Sequence, residues 1–307
     1  MKKPPLIAVL GGDRRQTVLS KVLVKHGYRV KAWAMPTTEE NDTKEIEICS
    51  DWREAVQGAY AIVLPLPVSS DSITLNKIKD LESPLNLTDL FDFCKGCRLF
   101  GGKLNEKIVL SAKQKGITCY DYYLSEPLQL KNALLTAEAC VSLLMQNLPV
   151  SIKGARFAIL GFGRIGEYLT RILLALGADV TVYARREESL ARAELLGAGT
   201  SHLRSLDKNT DFRIEFSGEL NAILNTIPSE ILTREDLLRV PQNCLLIELA
   251  SSPGGFSVQD STAIGLKSIV ASALPGKYAP ITAGKIIATE IIARLRELED
   301  CERKEIT

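Results

Sequence analysis

A glycine-rich turn carries the strongest chemical signal in the sequence. Gly161, Gly163 and Gly166 are spaced as GxGxxG, directly after a short apolar segment and at the start of a helical pattern. The first glycine permits a tight turn, the second lets the backbone approach a pyrophosphate, and the third lets the helix pack closely on the strand. The amino end of the helix adds N–H groups and positive dipole. We predict a dinucleotide site, rather than a merely structural turn, at Gly161, Gly163, Arg164, Ile165 and Gly166.

The end of the next strand distinguishes NAD from NADP. NAD sites usually carry an acid there that holds the ribose 2′-hydroxyl. Here the segment Asp179–Ala184 is followed by Arg185 and Arg186, and the first acid is Glu187. Two guanidinium groups suit a 2′-phosphate. We therefore expect NADP in preference to NAD, the alternative being two solvated surface arginines.

A second turn, LGGDRRQ, follows the first apolar segment of the chain. It lacks the three-glycine spacing, but Gly11 and Gly12 are expected to expose backbone N–H groups and Asp13 to cap the following helix. Arg14 and Arg15 then lie in the first turn, where positive charge opposes the helix dipole. This conflict predicts an anionic ligand bound by Gly12, Arg14 and Arg15; two exposed surface arginines are the alternative.

Three polar turns follow later strands of the second half. They are Asn225–Pro228 (NTIP), Glu248–Gly255 (ELASSPGG) and Leu274–Pro280 (LPGKYAP). Proline and glycine are ordinary loop residues, so each turn alone can be structural. Three turns at the carboxyl ends of successive strands indicate a site, and the first is expected to border the nicotinamide ribose. The candidate residues from these turns are Asn225, Thr226, Pro228, Ser251, Gly254 and Lys277.

The elements that must position these residues alternate between strands and helices, which predicts parallel sheets covered on both faces. The predicted strands are Leu6–Leu10, Tyr28–Ala34, Ala59–Leu64, Cys97–Phe100, Ile117–Tyr122, Ala155–Leu160, Asp179–Ala184, Ala222–Asn225, Cys244–Leu249 and Lys267–Ala271. The predicted helices are Arg14–Lys25, Asn105–Lys115, Asn132–Leu148, Gly163–Leu176 and Gly284–Leu298. The polar stretch Thr37–Lys44 is predicted to be a loop.

The predicted fold class is α/β, with two Rossmann-like doubly wound domains joined by a long helix and a cleft between them. Residues 1–127 are expected to form an N-terminal Rossmann or flavodoxin-like substrate domain, and residues 128–284 an NADP-binding domain. The C-terminal helix, about residues 285–307, is expected to pack back on the first domain.

Composition excludes several classes of protein. The 307 residues carry 38 Lys plus Arg and 37 Asp plus Glu, for a net charge of +1, which disfavours nucleic acid as the main partner. No apolar run approaches the roughly 20 residues of a membrane span. Seven cysteines at irregular spacing predict reduced thiols in the cytoplasm. Cys94 and Cys97 form a lone CxxC without matching ligands, so we expect small core residues and no metal.

Six segments in order resemble the A subunit of dipicolinate synthase, a family of endospore-forming bacteria. They are GGDRRQ, NALLTAEA, GFGRIG, NTIP, ELASSPGG and LPGKYAPITAG, and they extend over nearly the whole chain. One departure is Glu248, at a position where that family often has Asp.

The resemblance implies an oxidoreductase subunit that works with a flavoprotein partner, the B subunit, in the cytoplasm of the mother cell during sporulation. Together they would oxidise a dihydrodipicolinate from the lysine pathway to pyridine-2,6-dicarboxylate, and within this hetero-oligomer the A subunit would hold the nicotinamide cofactor. We expect Lys277 to bind one substrate carboxylate and Arg14 or Arg15 the other. Thr136 and Glu138 are expected to line the site, and Asn132 to hydrogen-bond substrate or carboxamide. These three and Lys277 are the candidate catalytic residues, with an ordinary exposed helix residue as the alternative for Glu138.

Two rival functions remain at this point. A 2-hydroxy-acid dehydrogenase would need a histidine acid/base in the cleft. The two histidines, His26 in the first helix and His202 in a predicted polar loop, follow neither NTIP nor ELASSPGG. A regulatory or scaffold protein would bind NADP(H) without turnover.

Overall fold

The computed structural model describes residues 4–36, 45–77, 83–203 and 219–306. The predicted loop Thr37–Lys44 lies outside these ranges. The chain divides into two compact units, Met1–Lys131 with Ala279–Thr307, and Asn132–Tyr278. Each unit contains one six-stranded parallel sheet flanked by helices, so the predicted Rossmann-like α/β class is confirmed. No helix among the described residues is both long and apolar enough to cross a membrane.

The sheet of the first unit has the doubly wound strand order. Its strands are β1 (Leu6–Leu10), β2 (Arg29–Trp33), β3 (Ile46–Ile48), β4 (Ala61–Val63), β5 (Arg98–Gly101) and β6 (Thr118–Asp121). They are arranged β3-β2-β1-β4-β5-β6, all parallel. The order reverses between β1 and β4, and the crevice beyond their carboxyl ends is where such sheets bind ligands.

The sheet of the second unit repeats this order. Its strands are β7 (Arg156–Leu160), β8 (Asp179–Ala184), β9 (Gly199–His202), β10 (Ala222–Asn225), β11 (Leu245–Glu248) and β12 (Ser268–Val270). They are arranged β12-β11-β10-β7-β8-β9, again parallel. Here the order reverses between β7 and β10, so the residues that follow these two strands face the expected ligand crevice.

Helices cover the faces of both sheets. They are α1 (Arg14–Lys25), α2 (Trp52–Val56), α3 (Leu87–Phe93), α4 (Glu106–Gln114), α5 (Glu126–Asn147), α6 (Arg164–Ala175), α7 (Glu187–Leu195), α8 (Arg234–Leu237), α9 (Val258–Ala263), α10 (Leu274–Tyr278) and α11 (Pro280–Ile306). A short 3₁₀ turn covers Tyr122–Leu124.

The last helix is part of the first unit. Ile287, Ile291 and Leu295 of α11 recur at helical spacing and are buried in a core shared with β1 and α1. Gly284 lies where α11 packs against α1, since a Cβ there would stand 2.7 Å from the carbonyl oxygen of Arg15. The position requires glycine because that contact leaves no room for a side chain.

Several local predictions need correction. The edge strands β3 and β9 were not expected, and His202 is the last residue of β9 rather than part of a loop. The LPGKYAP segment holds the short helix α10 instead of a turn, so Lys277 lies on a helix. α5 and α11 begin earlier than predicted, with Pro127 and Pro280 in their first turns, where proline's missing N–H is tolerated.

Candidate functional site

Two glycines of the GFGRIG turn are required by the protein's own packing. Gly161 has φ of +96°, and a Cβ there would lie 2.5 Å from Thr226 Oγ1. A Cβ on Gly166 would lie 2.2 Å from the carbonyl oxygen of Gly161. Thr226 in turn donates its hydroxyl hydrogen to the Leu160 carbonyl at 2.9 Å. These contacts fix the turn between β7 and α6 against the turn that follows β10.

Gly163 differs from both neighbours. Its backbone is extended, with φ of −85°, and apart from its two chain neighbours no residue has an atom within 4 Å of where its Cβ would be. The residue is exposed and begins α6 without a side-chain cap, and the acid of the first turn, Glu167, is already paired with Arg171 and Arg192. The turn therefore leaves open, uncapped space at a helix amino end, which fits a dinucleotide pyrophosphate.

The other two predicted members of this turn, Arg164 and Ile165, are the first residues of α6. Arg164 is exposed, whereas Ile165 is partly buried and packs on the core of the second unit. Ile165 therefore anchors the first turn of α6 to the sheet, while Arg164 projects from the surface beside Gly163.

Two arginines without partners among the described residues follow the carboxyl end of β8. Arg185 and Arg186 are exposed, and neither forms a side-chain hydrogen bond or ion pair with any residue the structure describes. Arg186 is also the N-cap residue of α7 and provides no side-chain cap. The nearest acid in sequence, Glu187, is held by His202, whose Nε2 lies 3.2 Å from its Oε1. Positive charge at this helix start is thus available to an anion.

A buried carboxylate joins the two turns beyond β10 and β11. Asn225 and Glu248 are opposite each other in the strand register and are 0% and 4% exposed. Asn225 Nδ2 donates to both oxygens of Glu248, at 2.7 and 2.9 Å. The backbone N–H groups of Ala250 and Gly255 also donate to Glu248, at 2.8 and 2.7 Å. Three donor groups therefore satisfy this single carboxylate, and Asn225 Nδ2 also donates to the Ile227 carbonyl at 2.9 Å.

Burial still raises the pKa of Glu248, and the hydrogen bonds from Gly255, Asn225 and Ala250 counteract part of that effect. The surrounding turn is built to accept this side chain. Gly254 has φ of +86°, and a Cβ on Gly255 would lie 2.4 Å from Asn225 Nδ2. Sequence reasoning did not include Glu248 among the site residues. The available signal was an acid that ends an otherwise apolar strand.

The glycine turn of the first unit corrects one prediction. The N–H groups of Gly11 and Gly12 are not exposed, because they donate to the carbonyls of Trp33 and Asn76 at 2.9 and 2.8 Å. Both glycines have positive φ, and a Cβ on Gly12 would lie 2.4 Å from Gln16 Cγ. The first unit therefore has the Rossmann strand order without a free backbone cradle for phosphate.

The two arginines of this turn have different environments. Asp13 caps α1 as predicted, accepting from the Arg15 N–H at 3.0 Å. The Arg15 side chain is buried, pairs with the Asp13 carboxylate at 2.8 Å, and donates to the Leu66 carbonyl at 2.6 Å. Arg14 is exposed and has no hydrogen bond or ion pair within the described part of the chain. Arg14 is thus the cation available to a ligand, and Arg15 holds the loop beyond β4.

The remaining candidates are distributed over the second unit. Thr136 is buried on α5 and donates its hydroxyl hydrogen to the Asn132 carbonyl at 2.9 Å, while Glu138 is exposed. Ser251 and Pro228 lie exposed in the turns beyond β11 and β10. Lys277 is exposed on α10 and has no side-chain partner among the residues described.

Comparison with known proteins adds sequence and structural relatives. Residues 6–123 match the N-terminal domain of the dipicolinate synthase A subunit. Residues 142–250 match the NAD-binding domain of D-isomer-specific 2-hydroxyacid dehydrogenases. The dipicolinate synthase A subunit of Bacillus subtilis is 30% identical over 302 residues, which cover 97% of this chain and 98% of that protein.

Solved structures of the same type of protein are also similar. The dipicolinate synthase A chain from Bacillus subtilis matches with a TM-score of 0.80 and 27% identity, covering 98% of each chain. The corresponding protein from Bacillus halodurans matches with a TM-score of 0.79 and 25% identity, covering 95% of this chain and 97% of that one.

Proposed function

The chain belongs to the dipicolinate synthase A-subunit family, and we propose that it is the NADP-dependent component that oxidises dihydrodipicolinate to dipicolinate. The observation that carries this proposal is Gly163. Of the three motif glycines, it is the one whose Cβ position meets no residue beyond its two chain neighbours, so the packing of the described residues does not require glycine there. A bound pyrophosphate gives the physical reason for a glycine at that position.

The preference for NADP is supported by charge at the end of β8. Arg185 and Arg186 have no partners in the described residues, and the nearby Glu187 is paired with His202. A 2′-phosphate is a dianion that two guanidinium groups bind well, whereas a neutral 2′-hydroxyl needs an acceptor that this strand end lacks.

The substrate carries two carboxylates, and each needs a donor. We assign one to Lys277, which is exposed and unpaired among described residues, and the other to Arg14 for the same reason. Arg15 serves as a positioning residue, because its guanidinium is already used by Asp13 and the Leu66 carbonyl. Asn132 remains the proposed donor to substrate or carboxamide, and Thr136 and Glu138 the proposed site wall.

The reaction places modest demands on these side chains. Dihydrodipicolinate must lose one hydride and one proton; the bound NADP⁺ would supply the hydride acceptor, and the proton would be released to solvent. The aromatic product is more stable than the dihydropyridine, which drives the reaction forward. The protein must therefore hold two carboxylates and orient a ring C–H, and it needs no strongly activated base.

The family's name describes one component of a larger enzyme, which implies a partner chain. We propose that this partner is the flavoprotein B subunit, and that the pair functions as a hetero-oligomer in the mother-cell cytoplasm of a sporulating bacterium. Residues 1–127 would then form the substrate domain and residues 128–284 the NADP-binding domain, which also contributes Lys277 and Asn132 to the substrate.

The test is a turnover assay with freshly generated dihydrodipicolinate. NADP and NAD are compared, each with and without the flavoprotein partner, and the reduced nicotinamide and pyridine product are followed together. We expect dipicolinate and NADPH in equal amounts, with NADP preferred over NAD. Binding of NADP with no product in any combination would contradict the proposal and favour a regulatory or scaffold protein.

A further inference from the structure

One buried amide group in the first unit has no hydrogen-bond partner among the described residues. Gln16 is 2% exposed, and its Nε2 atom is buried without an acceptor. A buried donor that lacks an acceptor is costly, and native proteins contain few of them. The group therefore requires a physical explanation.

Gln16 lies at the ligand crevice of the first sheet. At the point where a Cβ of Gly12 would stand, Gln16 Cγ is 2.4 Å away, Pro65 Cβ is 3.0 Å away, and the Gln16 amide carbon is 3.4 Å away. Gly12 follows β1 and Pro65 follows β4, the two strands between which the order reverses. The side chain thus runs back over the amino end of α1 into the crevice where open parallel sheets bind ligands.

The charges at the amino end of α1 define the class of ligand. The first turn of the 12-residue helix α1 contains no acid, and Arg14 offers an exposed cation. The acid that caps the helix, Asp13, is paired with Arg15 at 2.8 Å. The N–H groups of Gly11 and Gly12 are already used. Since the backbone cradle needed for a pyrophosphate is absent, the available donors suit a single carboxylate.

We propose that Gln16 donates an amide hydrogen bond to a carboxylate of the substrate, with Arg14 as the counter-ion. This inference rests on the proposed function, which supplies the dicarboxylate. The terminal torsion of a glutamine side chain is broad, so the amide turns toward the crevice at low cost when an acceptor arrives. Gln16 is then a specificity-determining residue that recognises hydrogen-bond geometry, while Arg14 supplies charge.

The test measures binding of dipicolinate, the stable product, to the full chain at saturating NADPH by titration calorimetry. Gln16→Met keeps the length of the side chain and removes the donor. We expect dipicolinate affinity to fall at least about tenfold, because a hydrogen bond to a charged group is lost. The melting temperature should stay the same or rise, because the unpaired donor is gone.

A neighbouring variant provides the control. Thr17 is equally buried, and its hydroxyl donates to the Pro36 carbonyl at 2.8 Å, so Thr17→Val should lower stability and leave dipicolinate affinity unchanged. Gln16→Glu is a second probe of the same shape that presents a negative charge to the carboxylate. It should weaken binding more than the methionine variant does.

The outcomes separate this inference from the proposed function. If wild type binds dipicolinate and turns over, but Gln16→Met binds it equally well, the role of Gln16 is wrong and the proposed function stands. A loss of affinity that only accompanies a loss of stability would also overturn the inference. If wild type neither binds nor forms dipicolinate, both fail.

Discussion

Replacing Glu248 by glutamine tests the reasoning about the second unit most sharply. The substitution keeps the shape of the side chain but converts one acceptor oxygen into a donor NH₂ group. In either orientation of the new amide, the backbone N–H of Ala250 or Gly255 faces a donor, and one hydrogen bond from Asn225 is lost. The variant should therefore loosen both turns that border the proposed nicotinamide site.

The size of the effect follows from burial. A buried N–H without an acceptor costs about 1–3 kcal/mol, and the removal of a desolvated charge offsets part of the total. We expect Glu248→Gln to lower the free energy of unfolding by about 2 kcal/mol near neutral pH, or the melting temperature by about 4–8 °C. Glu235→Gln is the control, since Glu235 is exposed and unpaired among described residues.

The pH dependence of this difference has a defined sign. Because the folded-state pKa of Glu248 is raised above its ordinary value of 4.5, its contribution to stability is complete below that value and is lost as pH rises through the raised pKa. Glutamine does not titrate, so the difference in free energy of unfolding between wild type and Glu248→Gln should narrow as the pH rises from about 4.5 through the raised pKa of Glu248. Equal stability of the two glutamine variants, or a gap independent of pH, would refute this account.

Three further predictions concern the glycine turn and the arginines. Gly163→Val should change the melting temperature by no more than about 2 °C, since the space around the Cβ of residue 163 is open. The same variant should weaken NADPH binding at least about tenfold, because the valine side chain would occupy the proposed pyrophosphate site. Gly161→Ala should instead lower the melting temperature, because residue 161 has a positive φ and its Cβ would contact Thr226. Equal melting temperatures for Gly163→Val and Gly161→Ala would contradict the structural role of Gly161 and the ligand-binding role of Gly163. Alanine at Arg185 and Arg186 together should weaken NADPH binding about 10- to 100-fold with little change for NADH, and parallel losses for both would refute the 2′-phosphate site. Arg15→Met should lower the free energy of unfolding, measured in urea, by about 1–2 kcal/mol, and Arg14→Met should lower it by less than about 0.5 kcal/mol. The reverse order would overturn the assignment of Arg15 as the structural arginine and Arg14 as the ligand-binding one.

The extent to which sequence predicted the fold depended on how much of each strand is buried. The strands β8 and β10 have the predicted bounds, because each contains several buried apolar residues and is either ended or followed by a polar residue. β3 and β9 escaped prediction because they lie at sheet edges and are short; β9 reads Gly-Thr-Ser-His. Its strand conformation depends on pairing with β8, which is a tertiary effect.

The candidate site shows a similar division. The motif glycines and the arginines after β8 were found because local spacing defines them. Arg14 and Arg15 have the same residue type, and only the packing of α1 against the sheet buries one and exposes the other. Glu248 becomes meaningful only when strand register places it opposite Asn225. Gln16 could be identified as a candidate only from its position beside Pro65, which lies in a distant part of the chain.

Direct transfer of hydrogen from substrate to nicotinamide is the central claim, and isotope labelling tests it most directly. Dihydrodipicolinate carrying deuterium on its sp³ ring carbons is mixed with NADP and the protein, alone and with the flavoprotein partner, and the nicotinamide product is analysed by mass spectrometry. We predict NADPH that retains one deuterium in both mixtures. NADPH without label, or dipicolinate formed only when the flavoprotein is present and with deuterium lost to water, would show that hydrogen reaches the flavoprotein first and would contradict the account.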